Sequence, residues 1–292
     1  MTKFTVIGGK ASQNLAKRIA RKLKADYINT ELRIFPDGES KITFSGEPKK
    51  GEIIVVQSTY PPVDSNLLQC LLLVSKAKQY SENVIAVVPY LGYARQDKEF
   101  LTGEIVSIHI ISKLFKAVGA TKIIVVDIHS TVGLKYFKIP AKNISAISEQ
   151  VKFFKKLNLK NPLVVSPDFG GKTRAKEFAS LFNTDYIALK KQRSRKTGQV
   201  KIISTNLKHV TNRDIILVDD MISSGGSIIK ATEFLKKQKC KRVFVSCTHA
   251  LLVNNAEKKI KKAGVSEIIS TNTIPGTTSK VDVSNIIAKA VL

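Results

Sequence analysis

Asp219 and Asp220, followed by Met221-Ile222 and then Ser223, Ser224, Gly225, Gly226 and Ser227, join two carboxylates to a run of small hydroxylated residues and glycines. The apolar run 215–218 before them reads as a strand, and Ile228-Ile229 after them opens a helix. Glycines let the backbone curl round a phosphate, the helix N-terminus aims N–H groups and positive dipole at it, and serine hydroxyls add donors. Two carboxylates beside such a cup need something else to face, either sugar hydroxyls or a metal. A ribose 5-phosphate satisfies both parts.

A second loop has the same plan. Ser166-Pro167-Asp168-Phe169-Gly170-Gly171-Lys172-Thr173-Arg174 passes from strand through a tight turn into a helix. Gly171-Lys172-Thr173 copies the end of a P-loop, but the first glycine of that motif would fall at position 166, which is Ser, and Pro167 removes an N–H from the cradle. A diphosphate cupped by Gly170 and Gly171, with Asp168 holding magnesium, accounts for these residues better.

Elements that can position such loops alternate along the whole chain. Short apolar, β-branched runs are expected as strands at 4–7, 53–57, 84–89, 123–127, 163–166, 186–189, 215–218 and 243–247. Amphipathic stretches between them are expected as helices at 12–23 (Ser12 as N-cap), 65–80, 104–118, 147–157, 172–181, 226–239 and 253–263. This is the pattern of parallel sheets covered by helices, and in such sheets ligands bind at the carboxyl ends of strands. The 292 residues suffice for two such α/β domains, with the break expected near 140–145. The apolar stripe of 283–291 must pack on something, and packing on the first domain is the expectation.

Composition narrows the function classes. Hydrophobic residues make up 43% and charged residues 24%, which is ordinary for a folded chain. No apolar run is long enough to span a membrane and no signal-peptide core follows Met1, so the expected place is the cytoplasm. Cys70, Cys240 and Cys247 are few and widely spaced, which argues against both a disulfide framework and a zinc site. A net charge of +25 attracts polyanions of any kind. No helix-turn-helix pattern, aromatic RNA-binding motif or zinc finger accompanies it, so no specific nucleic acid is expected as a partner.

Further segments carry a resemblance. Phe35-Pro36-Asp37-Gly38-Glu39 is a tight turn with an aromatic that can pack on a base and acids that can accept its exocyclic amine. Tyr93-Ala94-Arg95-Gln96-Asp97-Lys98 offers a planar phosphate-binding fork and a neutral donor, and Asp127-Ile128-His129-Ser130 follows a strand. With the 166–175 and 219–227 loops, these segments resemble the ribose-phosphate diphosphokinases, relatives of the type I phosphoribosyltransferases, over nearly the whole length. The wording departs at Ser223–Ser227, where Asp-Thr-Ala-Gly-Thr is commoner in the family, but small hydroxylated residues and glycines remain.

The resemblance implies two similar doubly wound parallel-sheet domains of the type I phosphoribosyltransferase kind. The divisions expected are 1–145, carrying the ATP segments, 146–280, carrying the ribose 5-phosphate and diphosphate loops and a catalytic flap, and a C-terminal helix in 281–292. It implies that Phe35, Asp37, Gly38, Glu39, Arg95 and Gln96 bind ATP, that His129 and Asp168 serve Mg2+, and that Asp168, Gly170 and Gly171 form the diphosphate loop. It assigns Asp219, Asp220, Ser223, Ser224, Gly225, Gly226 and Ser227 to ribose 5-phosphate. Within the basic segment Leu189–Gly198, it gives Lys191 and Arg193 to catalysis, with Lys190, Arg195 and Lys196 as extra cations. The implied reaction transfers the diphosphoryl group of MgATP to the anomeric hydroxyl of ribose 5-phosphate, giving phosphoribosyl diphosphate and AMP for nucleotide biosynthesis. The implied assembly is a homo-oligomer in which the Phe35–Glu39 segment serves a neighbour's ATP site.

Three other classes make different demands. A salvage phosphoribosyltransferase would leave Phe35 to Glu39 and Arg95-Gln96 without purpose. A silent regulatory relative would lack flap or metal residues that this chain keeps, and a basic RNA-binding protein would leave the loops unexplained.

Overall fold

The computed structural model describes residues 3–49, 51–193, 200–203 and 210–292, with the backbone alone at 191–193 and 200–203. The chain divides into two compact units, residues 1–145 with 272–275 and 282–292, and residues 146–271 with 276–281.

In the first unit, β1 (Phe4–Gly8), α1 (Gln13–Leu23), β2 (Asp26–Ile34), β3 (Ser40–Phe44), β4 (Glu52–Val56), α2 (Val63–Lys78), β5 (Val84–Val88), α3 (Ser107–Ala117), β6 (Lys122–Val126) and β7 (Ala141–Ile144) follow one another. They build a seven-stranded sheet in the order β3-β2-β1-β4-β5-β6-β7. Only the β2–β3 hairpin is antiparallel. Ile53 to Val56 and the whole of β5 are buried, as continuous β-branched runs are when helices cover both faces. α1 buries Leu15, Ala16, Ile19 and Ala20 on one stripe and ends at Lys24, which takes the left-handed conformation at φ 50°. Ser12 precedes that helix, but its hydroxyl accepts the Ser58 N–H at 2.9 Å instead of capping.

The second unit runs through α4 (Ile147–Phe154), β8 (Leu163–Ser166), α5 (Lys172–Phe182), β9 (Tyr186–Ala188), β10 (Lys190–Arg193), β11 (Val200–Ile203), β12 (Asp214–Ile222), α6 (Gly226–Lys237), β13 (Arg242–Ala250), α7 (Ala256–Lys262), β14 (Glu267–Thr271) and β15 (Ser279–Val281). Its main sheet has the order β15-β14-β13-β12-β8-β9 and is parallel throughout, while β10 and β11 form a separate antiparallel ribbon. One side of this sheet packs under Ile228, Leu235 and Ile260, and the other under Phe154, Phe178 and Ala175. Helix α8 (Ser284–Val291) belongs to the first unit, where the Lys122 and Lys142 ammonium groups donate to the Ala290 carbonyl at 3.1 and 3.4 Å.

Two α/β units with parallel sheets are thus present. The hairpin β2–β3, the ribbon β10–β11 and the strands β7, β14 and β15 are additions to the runs read from the sequence, and the ribbon begins within the segment expected as a flap. Among the described residues no helix is long and apolar enough to cross a membrane.

Candidate active site

Both phosphate-type loops of the second unit leave its sheet at one point. β8 is followed outward by β9, whereas β12 is followed in the opposite direction by β13, β14 and β15, so the winding reverses between β8 and β12. The crevice outside the carboxyl ends at such a reversal is where α/β sheets bind ligands.

On the β8 side, Ser166 is buried and its Oγ donates to the Asp168 carbonyl at 2.7 Å, tightening the turn that Pro167 begins. Asp168 Oδ1 accepts the Gly171 N–H at 3.3 Å, just ahead of α5. A Cβ on Gly171 would stand 2.4 Å from Ser166 Oγ, so a side chain there would push that hydroxyl off the Asp168 carbonyl. Phe169 is 55% exposed, and the Lys172 and Lys190 ammonium groups lie 5.5 and 5.9 Å from its ring centre. This cation–π stack joins the start of β10 to the loop.

On the β12 side, Asp219 and Asp220 are half-buried in the last part of the strand, and Asp219 Oδ1 accepts the Asp220 N–H at 2.9 Å. Burial raises the Asp219 carboxyl well above its usual range, and the neighbouring carboxylates of Asp220 and Asp168 raise it further. The two loops therefore converge their acids on one electrostatic neighbourhood. Cys247 pairs in register with Asp219, and burial keeps its thiol protonated.

Beyond the acids, Gly225 turns the chain at φ 79°, and a Cβ there would come within 2.8 Å of Ile260. The first helical bond runs from the Ile229 N–H to the Gly225 carbonyl at 2.9 Å. The amides of the first turn of α6 precede it, with no acidic residue in that turn, which leaves the positive end of the dipole for an anion. Ser223, Ser224, Gly226 and Ser227 surround this end, partly or fully exposed.

The first unit holds the residues predicted for ATP, and His129. Phe35 to Glu39 form the turn of the β2–β3 hairpin, closed by the Gly38 N–H to the Phe35 carbonyl and the Phe35 N–H to the Glu39 carbonyl, both at 2.9 Å. Gly38 sits at φ 95°, Asp37 Oδ1 accepts the Glu39 N–H at 3.2 Å, and the Arg33 guanidinium lies 5.2 Å from the Phe35 ring centre. Arg95 is exposed on the loop after β5. Gln96 Nε2 donates to Glu104 Oε2 at 3.0 Å and to the Lys98 carbonyl at 3.2 Å. The Phe100 N–H, with Gln96 and the Leu101 N–H, holds the Glu104 carboxyl below its ordinary range.

His129 is exposed on the loop after β6, just past Asp127 at φ 42° and Ile128, whose N–H donates to Asn143 Oδ1 at 2.9 Å. The loops after β5 and β6 are tied together. Ser130 Oγ donates to the Asp97 carboxylate, and the Tyr136 hydroxyl donates to the Asp97 carbonyl at 3.0 Å. Asp97, Ser130, Tyr136 and Glu104 are supports that motif matching passed over, although Asp97 and Ser130 stand inside the quoted segments.

The β1–β4 crevice, where the winding of the first sheet reverses, is taken up by the chain itself. Ser58 Oγ donates to the carbonyl of buried Thr273 at 2.6 Å, and Gln57 Oε1 accepts the Ala11 N–H at 3.1 Å. A groove lined by Ile42, Phe44, Leu72, Lys76 and Tyr80 lies elsewhere in this unit and contains no predicted site residue.

Lys191 and Arg193 lie on β10, opposite Ile202 and Val200 in the ribbon. Their side chains, and Arg195 and Lys196 altogether, lie outside the described residues. Among the described residues no group of three or more His, Cys, Asp or Glu side chains could hold a metal ion. Magnesium commonly takes only one or two carboxylates and fills its shell with water and substrate phosphates, so Asp168 beside the acid pair suits it chemically.

Residues 4–119 match the model of the N-terminal domain of ribose phosphate pyrophosphokinase, and residues 135–282 match the phosphoribosyl transferase domain. The ribose-phosphate pyrophosphokinase of Sulfurisphaera tokodaii is 37% identical over 290 residues, spanning 98% of this chain and 99% of that protein. That of Methanobrevibacter smithii is 36% identical over 293 residues, spanning 97% and 98%. The crystal structure of phosphoribosylpyrophosphate synthetase from Mycobacterium smegmatis superposes with a TM-score of 0.86 at 26% identity, over 99% of this chain and 97% of that one. With both halves matched and relatives aligned end to end, the chain belongs to the ribose-phosphate pyrophosphokinase family.

Proposed function

We propose that this chain transfers the diphosphoryl group of MgATP to the anomeric hydroxyl of ribose 5-phosphate, giving 5-phosphoribosyl 1-diphosphate and AMP. The observation that carries this reading is the convergence of Asp168, Asp219 and the α6 N-terminus on the β8–β12 crevice. Family membership supplies the reaction class.

The 5-phosphate sits on the first-turn amides of α6, with Ser223, Ser224 and Ser227 hydroxyls as further donors and Gly225 and Gly226 giving close backbone approach. Asp219 and Asp220 accept the ribose hydroxyls, and binding of those donors relieves the crowding of like charges that raises Asp219. The anomeric oxygen attacks the β-phosphorus, the bond from that phosphorus to the α-phosphate oxygen breaks, and AMP departs in line. The hydroxyl proton passes to solvent water in the same step. Gly170 and Gly171 offer amides to the diphosphate. Lys191 and Arg193 meet the negative charge that grows at the departing AMP oxygen, where a preorganised charge contributes most.

ATP is held by Arg95 and Gln96 and by the Phe35, Asp37, Gly38 and Glu39 turn, whose exposed position on a hairpin suits it to serve a neighbouring subunit of a homo-oligomer. By the family resemblance, Asp168 and His129 would each serve Mg2+. When bound, the ion neutralises phosphate charge. Such a nucleotide-consuming enzyme belongs in the cytoplasm, in keeping with three free, buried cysteines.

Incubation with MgATP and ribose 5-phosphate, followed by separation of the nucleotides, tests this. AMP in step with sugar consumption is expected. ADP means simple kinase chemistry, and neither product means a silent relative.

A further inference from the structure

Part of the basic surplus stands where the reaction does not use it. Between residues 230 and 262 stand Lys230, Lys236, Lys237, Lys239, Lys241, Arg242, Lys258, Lys259, Lys261 and Lys262, against only Glu233 and Glu257. Ten bases against two acids leave a net charge of +8 on this stretch.

Topology gathers most of them at one end. α6 leaves the carboxyl end of β12 and runs back to the amino end of β13, and α7 returns in the same sense to β14. The C-termini of both helices therefore lie at the amino edge of the sheet, opposite the crevice that holds Asp168, Asp219 and Gly225. The two ends are neighbours, since a Cβ on Gly264, just past α7, would lie 3.2 Å from Lys236 Cε. Lys236, Lys237, Lys239, Lys241, Lys258, Lys259, Lys261 and Lys262 are all exposed.

Local needs account for few of these charges. Two helix C-termini present together about one negative charge. Glu257 is paired with Lys261 at 2.6 Å, Asp214 with Arg242, and Glu267 with Lys280. Lysines well beyond these demands remain on a face turned away from the substrates.

The character of the face selects among polyanions. None of the exposed large hydrophobic side chains belongs to α6, α7 or their connections, and an interfacial membrane helix needs an apolar face to bury. Phe234 is half-buried and Phe244 buried, so the face lacks the exposed aromatic platform on which single-stranded bases stack. Lysine is a point charge suited to phosphate oxygens and poor at bidentate reading of base edges. We propose that the α6–α7 C-terminal face is a docking surface for the phosphate backbone of double-stranded nucleic acid, bound without regard to sequence.

The test uses the full chain and a fluorescent 20-base-pair DNA duplex of mixed sequence, followed by anisotropy across a potassium chloride series. The variant K237Q/K239Q/K241Q/K262Q touches none of the proposed substrate residues. Its expected behaviour is unchanged turnover, which also reports an intact fold, with weaker duplex binding and a salt dependence shallower by about 3 to 4 in log–log slope. Removing four exposed lysines from the other unit, in K22Q/K113Q/K116Q/K138Q, is expected to change that slope far less. The proposal is overturned if the wild type ignores the duplex, if both variants lose slope equally, if the first variant binds as the wild type does, or if vesicles of 30% phosphatidylserine bind the face and the duplex does not.

Discussion

Ser130 donates its hydroxyl hydrogen to the Asp97 carboxylate, and this bond fastens the loop that carries Arg95 and Gln96 to the loop that carries His129. A hydrogen bond to a charged acceptor contributes about 1.5–3 kcal/mol. Ser130→Ala should therefore lower kcat/KM for ATP by about tenfold or more while the KM for ribose 5-phosphate stays put, and Ser130→Thr should restore most of the loss. Steady-state kinetics with each substrate varied separately checks this. Equal damage to both KM values would mean that the bond only supports the fold.

Gly225→Ala tests the other side of the reaction. A left-handed residue with a side chain costs about 1–2 kcal/mol, and here the added carbon also meets Ile260 at 2.8 Å. The cup in front of α6 must deform, so the KM for ribose 5-phosphate should rise about tenfold and the KM for ATP should move little.

Deleting a cation that meets charge formed only in the transition state typically costs about 3–4 kcal/mol. Lys191→Ala should thus lower kcat by about two to three orders of magnitude, with ribose 5-phosphate binding nearly intact by calorimetry. An unchanged kcat would remove Lys191 from the mechanism.

Asp214 gives the second unit an acid-sensitive joint. Burial pushes its carboxyl up, but the Arg242 guanidinium, the Lys160 N–H at 2.6 Å and nearby Lys241 outweigh that and hold it below its ordinary value. A carboxylate depressed on folding stabilises above its unfolded pKa and loses that contribution as pH falls through the folded one. Melting followed by circular dichroism should show stability dropping below about pH 4. Asp214→Asn should cost about 3 kcal/mol near neutral pH, because it strands Arg242 beside a half-built network, and should flatten the acid dependence.

Much of this was legible in the sequence, for identifiable reasons. Parallel strands buried on both sides, such as β4, β5 and the first part of β12, announce themselves as unbroken β-branched runs. β2 did not, because Asp26-Tyr27-Ile28-Asn29-Thr30-Glu31 leads to a half-exposed hairpin in which polar and apolar residues mix. β14 hides for another reason, since Ser270 and Thr271 are buried through hydroxyl bonds to Thr278 and to the Thr248 carbonyl, not through apolarity. The loops at Asp168 and Asp219 were readable because glycines, serines and acids followed strands at once. Their meeting at one crevice was not, because strand order is set by crossovers and no local residue type records it. Thr273 closing on Ser58 from 215 residues away is equally invisible in the sequence.

Binding of ribose 5-phosphate in the crevice between β8 and β12 is tested most directly by a crystal structure of the protein with that sugar phosphate. The phosphate is expected on the first-turn amides of α6 beside Ser224 and Ser227, with the ribose hydroxyls on Asp219 and Asp220. Phosphate density in the β1–β4 crevice, or none at α6 under saturating ligand, would contradict it.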